Sequence, residues 1–208
     1  MTPRRPVLLI ILIGVVAAMA GALLGRMITD APVPLSNGTW LPEPRVIAPF
    51  TLNDVSGSPF DNASLRGRPH LLFFGFTYCP DVCPNTLATL TELYRTRVQD
   101  RLPDFGVLFV TVDPQRDTAA NLRQYLDAFS HDFQGLRGEP AATEPLLKSL
   151  GAIALRQDLP DGNYTMDHTA AIYLLDAEGR YRAVFTPPFT TARLRADLQR
   201  IATARRLQ

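Results

Sequence analysis

The stretch from Leu71 to Pro84, LLFFGFTYCPDVCP, constrains the fold more than any other part of the chain. It opens with apolar residues that do not alternate with polar ones, which is typical of a strand buried on both faces. We predict that this strand runs from His70 to Phe76. Cys79 and Cys83, the only two cysteines in 208 residues, follow it directly.

The rest of the chain alternates predicted strands with predicted helices. The further strands are Phe105–Val112, Thr169–Leu175 and Tyr181–Phe185, and a short hairpin lies between residues 50 and 60. The helices are Thr86–Gln99, one carrying Leu122 and Leu126, Glu144–Leu150, and a last one carrying Leu194, Leu198 and Ile201. The polar, glycine-containing segment Arg156–Asp167 is predicted to be a loop. This order predicts an α/β, thioredoxin-like domain over residues 49–208.

Residues 1–26 are predicted to form a membrane anchor. The nineteen residues from Val7 to Gly25 carry no charge, and about 20 apolar residues span a bilayer as a helix. A cleaved signal peptide is the alternative, because Ala18-Met19-Ala20 resembles a cleavage site. Two arginines precede the span and one follows it, which places the N-terminus in the cytoplasm. The rest of the chain then lies on the outer side of the membrane, where thiols can be oxidised.

A proline-rich tether, residues 27–48, is predicted to join the anchor to the domain. Its prolines favour an extended, semi-rigid chain. Trp40 within it is expected to lie either against the domain or at the lipid interface.

The charge balance argues against a nucleic-acid partner. The formal net charge is +1, but three arginines belong to residues 1–26, and the remainder carries 18 basic and 20 acidic residues. Lys148 is the only lysine, so no lysine-rich run exists.

The two cysteines are expected to carry the chemistry. Pro84 suits the first turn of a helix, which places Cys83 near a helix N-terminus, where the partial positive charge favours a thiolate. Thiolates either attack disulfides or bind metals. The spacer Pro80-Asp81-Val82 permits a Cys79–Cys83 disulfide, and two soft sulfurs also suit copper(I). Zinc is disfavoured, because it normally takes four ligands and no second cysteine pair exists.

A histidine would complete a three-ligand copper site. His70 opens a strand and His131 follows a helix, so a structural or surface role is expected for both. His168 precedes the predicted strand Thr169–Leu175, and in a thioredoxin-type sheet that position lies beside the cysteines. Asp167 or Asp81 is a candidate for orienting its ring.

Four segments resemble the SCO/SenC family of copper-binding assembly proteins. Residues 76–84, FTYCPDVCP, are similar to the family's signature, and residues 112–118, VDPQRDT, and the region from Tyr164 to Tyr181 are similar to its next recurrent stretches. WLPEPR, starting at Trp40, is similar to the entry into the domain in bacterial members. The similarity covers the chain from Trp40 onward, and Tyr78 stands where other members often have histidine.

The resemblance implies a periplasmic domain, tethered to the inner membrane, that binds one copper through Cys79, Cys83 and His168. It also implies a role in maturing the binuclear copper centre of cytochrome c oxidase subunit II, with a separate protein as copper donor. Two functions stay open: delivery of copper(I) or copper(II), and reduction of a partner's disulfide by the Cys79–Cys83 pair. A peroxiredoxin-type peroxidase is disfavoured, because Thr77 stands one residue too close to Cys79.

Overall fold

The structure, a computed structural model, describes residues 4–29, 33–160 and 162–204. The chain forms two compact units, Met1–Pro32 and Val33–Gln208. The first contains helix α1, Arg4–Thr29. Among the described residues, no helix has both the length and the apolar character required of a membrane span. The anchor over residues 1–26 therefore stays a prediction.

The second unit is built on an eight-stranded mixed sheet. Its strands are β1 (Gly38–Arg45), β2 (Thr51–Asp54), β3 (Pro59–Asp61), β4 (His70–Gly75), β5 (Gly106–Thr111), β6 (Gln134–Arg137), β9 (Ile172–Leu175) and β10 (Tyr181–Phe185). They lie in the order β1-β10-β9-β4-β5-β6-β2-β3. The predicted strands at β4, β5, β9 and β10 and the hairpin β2–β3 are confirmed, whereas β6 was not predicted.

Four helices accompany this sheet: α2 (Val82–Thr96), α3 (Ala119–Asp127), α4 (Pro140–Leu150) and α5 (Thr191–Thr203). All four were predicted, although α2 and α4 each begin four residues before the predicted start. Helix α2 packs against α5, α3 against β6, and α4 against β2. Every residue of β4 and β5 is buried, so these central strands are covered on both faces, as their continuous apolar runs predicted.

The pairing of β4 with its two neighbours places the candidate site. Strand β5 is parallel to β4, whereas β9 is antiparallel to it, with Phe73 opposite Ile172. The end of β4 therefore lies beside the start of β9. The cysteines follow the end of β4 and His168 precedes the start of β9, so the topology brings the three residues to one edge of the sheet.

The predicted loop Arg156–Asp167 was wrong. Strands β7 (Ala154–Asp158) and β8 (Tyr164–His168) form an antiparallel hairpin there, a two-stranded sheet of its own, with Ala154 opposite His168. None of its residues is fully buried, since β7 is mostly exposed and β8 mostly half-buried. The hairpin therefore has no buried apolar run of the kind from which strands are normally predicted. His168 consequently ends a strand instead of lying in a loop.

The predicted tether 27–48 differs from the structure at its C-terminal end. Residues 38–45 form edge strand β1, which pairs with β10. Trp40 is 6% exposed and packs in the domain core. Of its two expected positions, the structure therefore shows the one against the domain. Pro42 and Pro44 are compatible with an edge strand, because one side of such a strand needs no backbone donors. Residues 30–32 of the tether lie outside the described part of the chain.

Candidate metal centre

The cysteine loop connects β4 to α2. The Cys79 N–H donates to the carbonyl of Phe76 at 3.2 Å, which turns the chain sharply after the strand. Helix α2 begins at Val82 with Cys83 and Pro84 in its first turn, and Asp81 at the N-cap makes no side-chain capping bond. The Cys83 N–H donates to Cys79 Sγ at 3.4 Å. A backbone donor in the first turn of α2 thus points at the Cys79 sulfur.

Cys83 lies deeper than Cys79. Its side chain is fully buried, whereas Cys79 is 9% exposed, and both are free thiols. Burial raises the pKa of the Cys83 thiol far above its ordinary value. The expectation that the helix N-terminus makes Cys83 a thiolate was therefore wrong for the metal-free protein, because the loss of solvation dominates. The raised pKa keeps Cys83 protonated near neutral pH, and a bound metal cation displaces that proton.

His168 approaches Cys83 from the hairpin. Its Nε2 lies 3.5 Å from Cys83 Sγ, and its ring packs edge-on against Phe73 and Phe76, with centroids 6.0 and 5.8 Å away. Burial lowers the pKa of His168, so the imidazole is neutral near pH 7. Neutral imidazole is the form that binds metals.

The second nitrogen of His168 does not face the expected carboxylates. Nδ1 lies 3.3 Å from the carbonyl oxygen of Thr169, which favours a proton on Nδ1 and leaves Nε2 free to accept. Asp81 instead accepts from the side-chain amide of Asn85 at 2.5 Å. A backbone carbonyl therefore orients the ring, as it often does for ligand histidines.

Together, Cys79, Cys83 and His168 form a compact donor set. Their two sulfurs and one ring nitrogen lie within 4.8 Å of one another. Two soft thiolates and an imidazole fit a trigonal copper(I) ion, and the described residues add no fourth protein ligand of the kind that a structural zinc site has. The residues present therefore fit copper.

The other two histidines lie outside this set. His70 is buried at the start of β4, the opposite end of the strand from the cysteines. His131 is exposed and faces Asp127 at 3.0 Å. The structural and surface roles predicted for them agree with these positions.

Asp117 supports the cysteine loop and was not predicted. Its fully buried carboxylate accepts from the Thr77 hydroxyl at 2.6 Å and backbone N–H at 3.1 Å, and from the Thr111 hydroxyl at 2.5 Å. It therefore ties the start of the loop to the end of β5. The signal in the sequence was its position within VDPQRDT, residues 112–118, one of the segments that resemble the SCO/SenC family.

Comparison with known proteins identifies the family. A model of the SCO1/SenC family matches residues 40–203. The chain belongs to the SCO1/SenC family. The match starts at Trp40, the third residue of β1, and ends with α5, so it spans the rest of the sheet, the hairpin and the donor set.

Three relatives of this SCO1/SenC protein extend the comparison. One is a Stutzerimonas stutzeri protein that is named as a candidate copper-binding protein. It is 31% identical over 96% of this chain and 95% of its own length. The structure of ScoI from Bradyrhizobium japonicum with copper bound is 41% identical, with a TM-score of 0.65, covering 74% of this chain and 98% of that one. BsSco shares the fold, with 22% identity and a TM-score of 0.60 over 79% of this chain and 96% of BsSco. It is described as having a disulfide switch and as a member of the Sco family of cytochrome c oxidase assembly proteins.

Proposed function

We propose that this protein is a periplasmic copper chaperone, tethered to the inner membrane by its N-terminal helix, that binds one copper through Cys79, Cys83 and His168. It delivers that copper to the binuclear copper centre of cytochrome c oxidase subunit II. The convergence of two sulfurs and one imidazole nitrogen within 4.8 Å carries the proposal. The copper-bound structure of ScoI supports the metal, and the description of the Sco family as oxidase assembly proteins supports the target.

The three side chains divide the work of loading. Cys83, protonated in the metal-free protein, gives up its proton as copper arrives from a donor protein. His168 is already neutral and offers Nε2 without losing a proton. Copper supplies the positive charge that keeps both sulfurs as thiolates in an apolar surrounding.

Release is expected to begin at Cys79. Its side chain is partly accessible, whereas Cys83 is fully enclosed. A thiolate of the receiving subunit therefore reaches copper from the Cys79 side, and Cys83 and His168 hold the ion until the partner's ligands replace them.

A second candidate function is reduction of a disulfide in the oxidase subunit. The free Cys79 thiol is favoured as the attacking group, because it is more accessible and accepts the Cys83 N–H. Cys79 sulfur would attack the partner disulfide, forming a mixed disulfide and releasing one partner thiolate. Cys83 sulfur would then attack Cys79, releasing the second partner thiol and leaving a Cys79–Cys83 disulfide, a transfer of two electrons and two protons.

An anaerobic copper(I) titration against a competing chelator tests the metal site. We expect one copper per wild-type chain, and we expect Cys79→Ser, Cys83→Ser and His168→Ala each to weaken binding by more than about tenfold, or 1.4 kcal/mol. His131→Ala, an exposed histidine outside the donor set, is the matched control. Unchanged affinity in His168→Ala would remove the histidine from the site.

The two functions are separated by mixing experiments with the metal-binding domain of subunit II. Copper-loaded protein is expected to transfer copper to the reduced, metal-free subunit. If the wild type instead binds no copper but quickly reduces an oxidised subunit, the reductase function replaces the chaperone. For the anchor, cell fractionation with sequencing of the mature N-terminus decides: a chain starting near residue 21 in the periplasmic fraction indicates cleavage.

A further inference from the structure

Arg116 links the hairpin that carries His168 to the loop that carries Cys79. Its guanidinium carbon lies 3.8 Å from the centroid of the Tyr164 ring and 4.8 Å from that of Tyr78. Its Nη1 donates to the carbonyl oxygen of Tyr164 at 3.0 Å. Arg116 therefore contacts both the ring and the backbone of Tyr164, the first residue of β8. It also contacts Tyr78, the residue directly before Cys79.

Asp113 anchors this contact to the main sheet. It is 3% exposed and forms an ion pair with Arg116. Its second carboxylate oxygen accepts from the Tyr164 hydroxyl at 2.9 Å, and its backbone N–H donates to the hydroxyl of Thr111, the last residue of β5, at 3.0 Å. Charge-assisted hydrogen bonds of this kind are stronger than neutral ones, so the start of β8 is fixed to the end of β5.

The part of the Arg116 guanidinium that makes no hydrogen bond faces aromatic rings. Its Nη2 atom is buried and has no hydrogen-bond partner in the described part of the chain, which suits a guanidinium stacked on aromatic faces. Arg156 of β7 also lies 3.8 Å from the centroid of the Tyr164 ring. The Tyr164 ring therefore contacts two cations, Arg116 between β5 and α3 and Arg156 within the hairpin.

The hairpin needs such an attachment because, in the part of the chain that the structure describes, β7 and β8 pair only with each other. Two-stranded hairpins are marginally stable alone. Tyr164 and His168 are the two ends of β8, and residues separated by two or four positions share one face of a strand. The contacts that hold Tyr164 therefore also set the direction of β8, and with it the position of His168 beside the sulfurs.

We propose that Arg116, together with Asp113 and Tyr164, is a positioning group that holds His168 at coordinating distance from Cys79 and Cys83. The inference rests on the proposed copper function and extends it, since none of these three residues is a ligand. Without the Arg116 contacts, the hairpin moves away from the cysteine loop and copper is left with its two sulfur ligands.

The main test combines Arg116→Gln with His168→Ala. Alone, Arg116→Gln is expected to lower copper(I) affinity about tenfold, the lower end for residues that orient a ligand, and to shift the copper(II) absorption and EPR spectra toward those of His168→Ala. In the His168→Ala background, Arg116→Gln is expected to cause no further loss, because both changes act on the same ligand. A tenfold loss that persists without His168 would overturn the proposal.

Arg97→Gln is the matched control. Arg97 stacks on Tyr94 at the same 3.8 Å and pairs with Asp104, but it follows the end of α2 that is remote from the cysteines. This variant is expected to leave copper affinity and spectra unchanged. Tyr164→Phe, which removes only the hydroxyl bond to Asp113, is a milder second variant in case Arg116→Gln does not fold, and it is expected to shift the same spectra to a smaller extent.

The metal-free protein provides an independent readout. Amide hydrogen exchange in β7 and β8 is expected to accelerate in Arg116→Gln and not in Arg97→Gln, with shifted NMR signals of the His168 ring. Unchanged exchange and ring signals would contradict the proposal whether or not copper binds. Failure of the wild type to bind copper would instead contradict the proposed function, so the two failures are distinguishable.

Discussion

At the scale of single residues, Gly75 shows how tightly the site is packed against its strand. A Cβ at this position would lie 2.7 Å from the Phe109 ring and 3.0 Å from Cys83 Sγ. We predict that Gly75→Ala displaces both groups, costs about 1–3 kcal/mol of unfolding free energy and weakens copper(I) binding. Urea denaturation and the anaerobic titration measure the two effects.

A compensating change tests the cause. Phe109→Leu removes the ring atoms that the new methyl group would meet. In the double variant we expect the penalty of Gly75→Ala to be smaller than in the wild-type background. Strictly additive losses in unfolding free energy would show that the clash with Phe109 is not the reason.

The ligand candidates were predictable because two patterns coincided. A buried strand that ends at a Cys-x-x-x-Cys turn and a histidine before another buried strand indicate neighbours in a thioredoxin-like sheet. Gly75 and Asp117 were not predictable, because their roles depend on which atoms approach them in three dimensions. The protonation of Cys83 was mispredicted for a related reason: the depth of burial, which dominates its pKa, cannot be inferred from spacing.

At the scale of elements, β1 is attached to the domain through Asp197 of α5. This fully buried carboxylate accepts from the Ser36 N–H at 2.9 Å, the Ser36 hydroxyl at 2.8 Å and the Asn37 N–H at 2.9 Å. We predict that Asp197→Ala removes these hydrogen bonds, costs about 1–3 kcal/mol of unfolding free energy and accelerates amide exchange in β1. Denaturation and hydrogen exchange measure both.

Copper affinity should not follow this loss, because β10 and β9 separate β1 from β4. Asp104→Ala is the control: Asp104 is 71% exposed and pairs with Arg97, so about 0–1 kcal/mol is expected. Equal losses in the two aspartate variants would contradict the attachment of β1 through Asp197.

Two of the elements that were missed, β1 and the hairpin, are held by specific contacts that an apolar pattern does not reveal. Strand β1 contains two prolines, and its one deeply buried side chain, Trp40, lies under the guanidinium of Arg182 at 4.3 Å. In the hairpin, Arg116 and Arg156 both stack on Tyr164. Propensity and periodicity detect neither kind of contact, whereas the continuous apolar runs of β4 and β5 were unambiguous.

At the scale of the whole molecule, two histidines lie at opposite ends of β4, one buried and one half-buried. His168 faces the cysteines at the end of the strand, and His70 is its first residue, 3% exposed, with an Nδ1 that has no hydrogen-bond partner among the described residues. Acid is therefore expected to act on the metal centre at one end and on the stability of the fold at the other.

Mild acid is predicted to destabilise the metal-free domain through His70. Burial, followed by the charge of Arg68, lowers the pKa of His70 from its ordinary 6.5 to about 4. Between these pH values the unfolded chain binds more protons than the folded one. The contribution of His70 to the free energy of unfolding is therefore fully present above pH 6.5 and is lost as the pH falls toward 4, by about 3 kcal/mol in all. Urea denaturation of the metal-free protein at several pH values measures the slope.

Matched substitutions assign the slope to a residue. His70→Gln removes the titrating group, so its stability is expected to change much less between pH 6.5 and 4, although burial lowers the pKa of His168 as well and leaves a smaller slope of the same sign. His131→Gln, at an exposed position beside Asp127, should keep the wild-type slope. A domain that gains stability on acidification, or a His70→Gln variant with an unchanged slope, would contradict this assignment, because a buried neutral histidine always favours the folded state at higher pH.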